Sequence, residues 1–257
     1  MLEYSIKDDK IIFNDNFNKP LSRRIIHEIR NYKKVDFGRS FNQSVDNLPK
    51  GITHLKFRDS FNQRVDNLPE GIIEITFSYK FNQPIDKLPK SVKSIFLGWF
   101  FNTPINNLPE NMTNITFSTL SEFNHSLDNL PKGLEELKLG NNFNQKLDNL
   151  PIGLKYLKLS GDYNQPLDFL PIGLTHLEFG VDFNKPLDNL PNTVTRLIFN
   201  TNSYFQQSLD NLPNSVKILE LSKNYKQIIK KLPLSIETIK YDNILITKER
   251  ILSGEFL

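Results

Sequence analysis

The chain has no cysteine and no alanine in 257 residues, with four histidines, one tryptophan and a net charge of +3. Without cysteine there are no disulfides, no Cys-ligated zinc and no thiol nucleophile. Without alanine, the strongest helix former, a mostly helical chain is disfavoured. So small a net charge supplies no global basic field of the kind a dedicated nucleic-acid binder carries. No run reaches the roughly 18 apolar residues that would span a membrane. The opening MLEYSIKDDK lacks the apolar stretch of a signal peptide, so an intracellular protein is expected. Asn, Lys, Ile and Phe are abundant, a bias toward AT-rich codons.

What is present is a repeat. The pattern F-N-x-x-[LIV]-D-N-L-P starts at Phe41, Phe61, Phe81, Phe101, Phe123, Phe143, Tyr163, Phe183, Phe205 and Tyr225, at intervals of 20 or 22 residues. A fixed period of about 20 residues marks a solenoid of stacked coils, each too small to bury its own apolar face. The expected organisation is an N-terminal cap over 1–34, a repeat array over 35–241 and a C-terminal cap over 242–257.

Each coil is numbered here from its first aromatic residue as position 0. In the coil FNQRVDNLPEGIIEITFSYK, apolar residues fall at 0, +4, +7, +11, +14 and +16. The last three form L-x-x-L-x-L, as in LEELKL (134–139), whose alternating end predicts a short strand. Leu137 and Leu139 should point inward, and Glu136 and Lys138 outward. One strand per coil, always in the same direction, predicts a parallel sheet. Leu-Pro at +7 and +8 predicts an extended return path, because proline fixes φ and removes a donor. Glycine at +10 (Gly51, Gly71, Gly133, Gly153, Gly173) marks a bend into the next strand. The aromatics at 0 should stack into a spine beside a second apolar column at +16. Asparagine at +1 forms a further column: Asn42, Asn62, Asn82, Asn102, Asn124, Asn144, Asn164 and Asn184. Buried there, these amides are expected to satisfy backbone groups that leave the sheet ladder.

On the motif FN-x-x-[LIV]-x-x-LP, the array over roughly 35–241 resembles the FNIP (or FGxxFN) branch of the leucine-rich repeats. The resemblance implies a leucine-rich-repeat solenoid of about 11–12 coils of 20–22 residues. It further implies a curved parallel β-sheet on the concave face, a mostly irregular or extended convex side and little helix. Such repeats occur in social amoebae and giant DNA viruses, so a viral protein in the cytoplasm of a host cell is implied. Protein binding is the implied function. Some members carry an F-box that recruits a ubiquitin ligase, but residues 1–34 are too short for its helices. A substrate adaptor for ubiquitin ligation without a visible F-box is therefore the alternative.

The ends depart from the pattern. LSRRIIHEIRNY (21–32) has the apolar spacing of a short helix. The tail, 243–257, must cover the last open coil, on its own molecule or on a neighbour's. Exchange of this cap would give a homodimer. Both 22-residue intervals place their additional pair before the next aromatic, at Ser118–Glu122 and Asn200–Tyr204.

No residue set points to catalysis, a cofactor or a metal. Asp at +5 (Asp46, Asp66, Asp86 and on to Asp210) reads as a turn residue capping backbone amides rather than a calcium ligand. The histidines fall in separate coils and assemble no triad. The outward positions +13 and +15 differ from coil to coil while the inward positions repeat. A protein partner on the concave sheet is therefore expected, with Tyr79, Phe96, Trp99 and Tyr156 as aromatic anchors. His54, His176 and Arg196 are further candidates on the same face. A weaker alternative is an anionic or nucleic-acid partner held by basic ends, Arg23, Arg24, Arg30, Lys33 and Lys34 and the group Lys223, Lys226, Lys230 and Lys231.

Overall fold

The computed structural model describes residues 3–253, so Met1, Leu2 and residues 254–257 of the expected caps lie outside the described residues. The chain divides into two units, Met1–His125 with Asn129–Leu134, and Ser126–Asp128 with Glu135–Leu257.

Unit 1 opens with a hairpin, β1 (Tyr4–Lys7) antiparallel to β2 (Lys10–Phe13). Asp8 and Asp9 both take positive φ in its two-residue turn, the backbone that a tight hairpin requires. The helix α1 (Arg23–Ile29) follows, within the segment whose spacing predicted one. Ser22 caps it by accepting the Ile25 N–H at 3.3 Å, and Ile25 and Ile29 are its buried residues. Then come β3 (Lys34–Asp36), β4 (His54–Phe57), β5 (Glu74–Phe77), β6 (Ser94–Leu97) and β7 (Asn114–Phe117), one strand per coil. From β2 to β7 all neighbours pair in parallel and in register, so that Leu55, Ile75, Ile95 and Ile115 form one row.

Unit 2 repeats the scheme with β8 (Glu136–Lys138), β9 (Tyr156–Lys158), β10 (His176–Phe179), β11 (Arg196–Phe199), β12 (Ile218–Leu221) and β13 (Thr238–Tyr241). It ends as unit 1 begins, with a hairpin: β14 (Ile244–Ile246) turns back on β13 through Asp242 and Asn243, again at positive φ. The helix α2 (Lys248–Ser253) buries Ile251, and Lys248 Nζ donates to the Leu234 carbonyl at 3.0 Å. The described part of the C-terminal segment thus covers its own chain's last coil.

Beside the buried aliphatic columns at +4, +7, +11 and +14, two columns at 0 and +16 hold the aromatic part of the core. In unit 1 the position-0 rings stack with little tilt, Phe41 on Phe61 at 6.1 Å and Phe61 on Phe81 at 6.0 Å between centroids. The +16 column interleaves with them, Phe57 lying 4.0 Å from Phe61 and Phe77 3.7 Å from Phe81. In unit 2 the spine runs Phe143, Tyr163, Phe183, Phe205, Tyr225, while Leu139 and Leu159 take the +16 places before Phe179 and Phe199. Each such side chain, fully buried, contributes about 1.5–3 kcal/mol.

At the Leu-Pro corner the proline carbonyl accepts the N–H three residues on, as in Val92 to Pro89 at 3.1 Å and Leu154 to Pro151 at 3.0 Å. The corner is therefore a turn after an extended approach. Of the five glycines at +10, Gly51 and Gly71 have positive φ; the bend at the other three is made with ordinary backbone angles. The two 22-residue intervals, one beginning in each unit's array, are alike. Ser121 and Ser203 are buried and accept the N–H groups of Phe123 and Phe205 at 3.3 and 3.2 Å. The additional pair thus brings a serine that supports the next spine residue.

Candidate protein-binding face

Alternation in β2 and in β4 to β13 buries the second residue and leaves the first and third half-exposed or exposed. In β4, Leu55 and Phe57 are buried, while His54 is half-exposed and Lys56 exposed. The outward residues form two rows per unit. Unit 1 carries Lys10, Lys34, His54, Glu74, Ser94 and Asn114 in one row, and Ile12, Asp36, Lys56, Thr76, Phe96 and Thr116 in the other.

Asp36 departs from the outward pattern, being 1% exposed. Arg58 clasps its carboxylate with two bonds, 2.9 and 3.1 Å, and Lys10 approaches at 2.9 Å. Burial alone would raise its pKa; the bonds from Arg58 and Lys10 override that and hold it below its ordinary value. His54 Nδ1 lies 2.8 Å from Thr53 Oγ1, and its Nε2 lies 3.9 Å from Glu74. Lys10, Lys34, His54, Lys56, Glu74 and Thr76 line a shallow depression of about 330 Å³. Phe96 is half-buried between Thr76 and Thr116.

Tyr79 and Trp99, expected on the sheet face with Phe96, are not there. Both sit at +18, in the turn that follows the strand. There they join Phe100: Tyr79 meets Trp99 edge-on at 5.3 Å and Phe100 edge-on at 5.0 Å. Tyr79 is 40% exposed. This is an aromatic knob on the rim of unit 1, separate from the row that holds Phe96. Alternation places side chains within a strand and says nothing of a turn residue two positions beyond it.

The remaining candidates share the face of unit 2. Tyr156 donates to Glu178 Oε1 at 2.5 Å, Lys158 pairs with the same carboxylate at 3.1 Å, and Lys138 Nζ stands 5.2 Å from the Tyr156 ring centroid. Burial, then the Glu178 hydrogen bond and charge, push the Tyr156 phenol above its ordinary pKa. The His176 ring lies 6.3 Å from Tyr156 and its Nδ1 is 2.8 Å from Thr175 Oγ1. Burial, then the Arg196 charge, lower its pKa, with Glu178 opposing. Lys138 pairs with Glu136, and Lys240 with Glu220 at 2.9 Å. Arg196 Nε is buried with no hydrogen-bond partner among the described residues. Sequence reasoning had not singled out Glu178, which joins Tyr156 to Lys158. Its place at +15, register-opposite Lys158, was the available signal.

The asparagine column lies elsewhere, and it is half-exposed or exposed rather than buried. Asn42 Oδ1 accepts the Asn62 N–H at 2.9 Å, Asn62 that of Asn82 and Asn82 that of Asn102, each at 2.9 Å; Asn124 N–H reaches Asn102 at 3.3 Å. In unit 2, Asn144 and Asn164 accept from Asn164 and Asn184 at 3.0 Å. The side chain runs along the stack at its surface, so it bonds the next coil without leaving solvent. The aspartates at +5 likewise bond mainly side chains rather than the backbone amides expected: Asp46, Asp128, Asp168 and Asp188 accept from the Asn amide one coil on. Asp210 does accept two backbone N–H groups, of Lys230 and Lys231.

Among the described residues there is no group of three or more His, Asp or Glu able to hold a metal ion, and no helix long and apolar enough to cross a membrane.

The FNIP repeat model matches residues 41–80, 61–100, 81–120, 123–162 and 163–202. Among solved structures, CroV588, a circular leucine-rich-repeat protein of the giant virus CroV, is 33% identical over 93% of this chain, with a TM-score of 0.77. YopM of Yersinia enterocolitica is 18% identical over 82% of this chain, with a TM-score of 0.50, a likeness of fold alone. This chain spans 41% of the length of the first and 60% of the second. No curated protein matches it.

Proposed function

Because this chain belongs to the FNIP repeat family, we propose that it is a non-enzymatic scaffold that holds a protein partner on the open face of its parallel sheet. One observation carries the reading: the inward positions of every coil repeat and are buried, while the outward positions differ in chemistry from coil to coil. Tyr156, His176 and Arg196 follow one another in a single row, and Phe96 lies in the threonine row of unit 1. Those side chains carry no part of the core, so their variety is free to serve recognition. Aromatic and arginine side chains are the usual anchors of such surfaces. The repeat supplies rigidity, because β2 to β6 and β9 to β13 are each bonded to a strand on both sides and little ordering remains to be done on binding.

The test separates face from rim. Retention of proteins from host-cell lysate is compared for the unaltered chain, a Phe96→Glu/Tyr156→Ala face variant and a Tyr79→Ser/Trp99→Ser rim variant, each checked for folding by circular dichroism. A protein retained by the first and third but lost by the second supports the face. Equal retention by the face variant sinks it and moves the contact to the aromatic rim or to the Leu-Pro corner, where Ile152, Phe169 and Ile172 are exposed.

A further inference from the structure

The outward rows of unit 1 hold an imbalance of charge. Three full cations (Lys10, Lys34 and Lys56) face two carboxylates (Asp36 and Glu74), and Arg58, one residue past β4, reaches in to Asp36 while lying 4.0 Å from Asp15. Arg58 and Lys10 are committed to Asp36. Neither Lys34 nor Lys56, both exposed, forms an ion pair among the described residues. Register makes this costly. Lys10 stands directly opposite Lys34, where like charges destabilise neighbouring strands. The depression these residues line is shallow, so the ligand it suits is extended rather than engulfed.

We propose that this depression binds an acidic extended peptide, with carboxylates two residues apart taken by Lys34 and Lys56. Lys34 is opposite His54, and Lys56 lies two residues beyond His54. One strand spacing and two residue rises set the two lysines roughly 8 Å apart at their Cα atoms. In an extended peptide, residues i and i+2 lie on one face about 7 Å apart. The long lysine stems absorb the difference, and an Asp/Glu-x-Asp/Glu segment laid on the rows meets both cations at once. This deepens the scaffold reading and rests on it: it assigns the chemistry of one partner segment and its place in unit 1.

Fluorescence anisotropy tests it with a labelled peptide that alternates glutamate and serine, its glutamine counterpart, and labelled oligothymidylate. The unaltered chain is expected to bind the glutamate peptide, and more weakly as salt rises. Lys34→Glu/Lys56→Glu should weaken it by about tenfold, the scale of two exposed ion pairs. Lys34→Gln/Lys56→Gln should weaken it less. Lys50→Glu/Lys90→Glu, an equal change of charge at the Leu-Pro corner, should leave binding unaltered. Equal loss in both Glu pairs would reduce the effect to bulk charge and overturn the site. Binding of the glutamine peptide, or of oligothymidylate as tightly as the glutamate peptide, would overturn the peptide assignment. No binding by the unaltered chain would end this proposal, yet leave the scaffold reading standing if a lysate protein is still lost from the face variant.

Discussion

The two units share one coil and differ in what they leave unanswered. Unit 1 keeps a phenylalanine at every position-0 place of its repeats and at +16 everywhere but Leu97, and carries unmatched lysines on its face. Unit 2 answers its face lysines, Lys138, Lys158 and Lys240, with glutamates, and carries a misfit inside, at the Tyr163 hydroxyl. A repeat constrains the backbone and the inward columns alike in every coil, but it exerts no such control over outward charge. A face whose charges close on themselves spends its surface on its own stability. A face whose charges stay open keeps that surface for something else.

The largest expected effect probes what the units have in common. Gly98 and Gly180 occupy the same position, +17, one in each unit. A Cβ at Gly98 would stand 1.5 Å from the Ser78 carbonyl oxygen, and one at Gly180 1.6 Å from that of Ser160. Neither neighbour is a flexible side chain that could give way. Gly98→Ala and Gly180→Ala should each lose more than about 3 kcal/mol, by similar amounts, because both glycines meet the +17 carbonyl of the preceding coil at nearly the same distance, whereas coils with Arg58, Ser78, Ser118, Ser160 or Asn200 at +17 accommodate a side chain there. A thermal midpoint unchanged in either variant would show that the backbone relaxes at that glycine and that the two sites are not equivalent.

A smaller effect belongs to unit 1 alone. Asp36 ties β3 to Arg58 and Lys10, and Asp36→Asn should cost about 1–3 kcal/mol at neutral pH. Its folded pKa is lowered, so the stabilisation is complete above the ordinary carboxylate range and is lost as pH falls through that range to the folded value. Denaturant midpoints measured from pH 7 downward should therefore fall less steeply for the variant. Parallel acid limbs would show that Asp36 is not among the groups that unfold the chain in acid.

Much of this frame was legible because ten copies repeat each inward residue. Strand positions, the parallel sheet and the aromatic stack follow from that agreement. The hairpins at the two ends occur once each, so no repetition marked them, although Asp-Asp and Asp-Asn between short apolar runs are the residues such turns take. The Asp36 cluster was hidden by the degenerate first coils, where an outward position holds a buried acid. Of the candidate site, the residues within strands were placed correctly on the open face, while Tyr79 and Trp99, two positions past the strand, were not. Glycine at +10 misled in the same way, since the residue type permits positive φ without requiring it.

The smallest effect reaches into unit 2. Tyr163 stacks between Phe143 and Phe183, at 6.2 and 6.3 Å, and its hydroxyl is buried with no hydrogen-bond partner among the described residues. Tyr225, in the same column, donates to the Gln207 carbonyl at 3.2 Å. An unmet buried hydroxyl destabilises, whereas a met one is close to neutral or mildly favourable. Tyr163→Phe should therefore raise stability by about 1 kcal/mol, bringing the spine of unit 2 toward that of unit 1, and Tyr225→Phe should lower it by about 0.5–1 kcal/mol. Urea denaturation of the two variants decides it. A loss at Tyr163 equal to that at Tyr225 would mean that its hydroxyl is satisfied after all, and that unit 2 does not carry this misfit in its core.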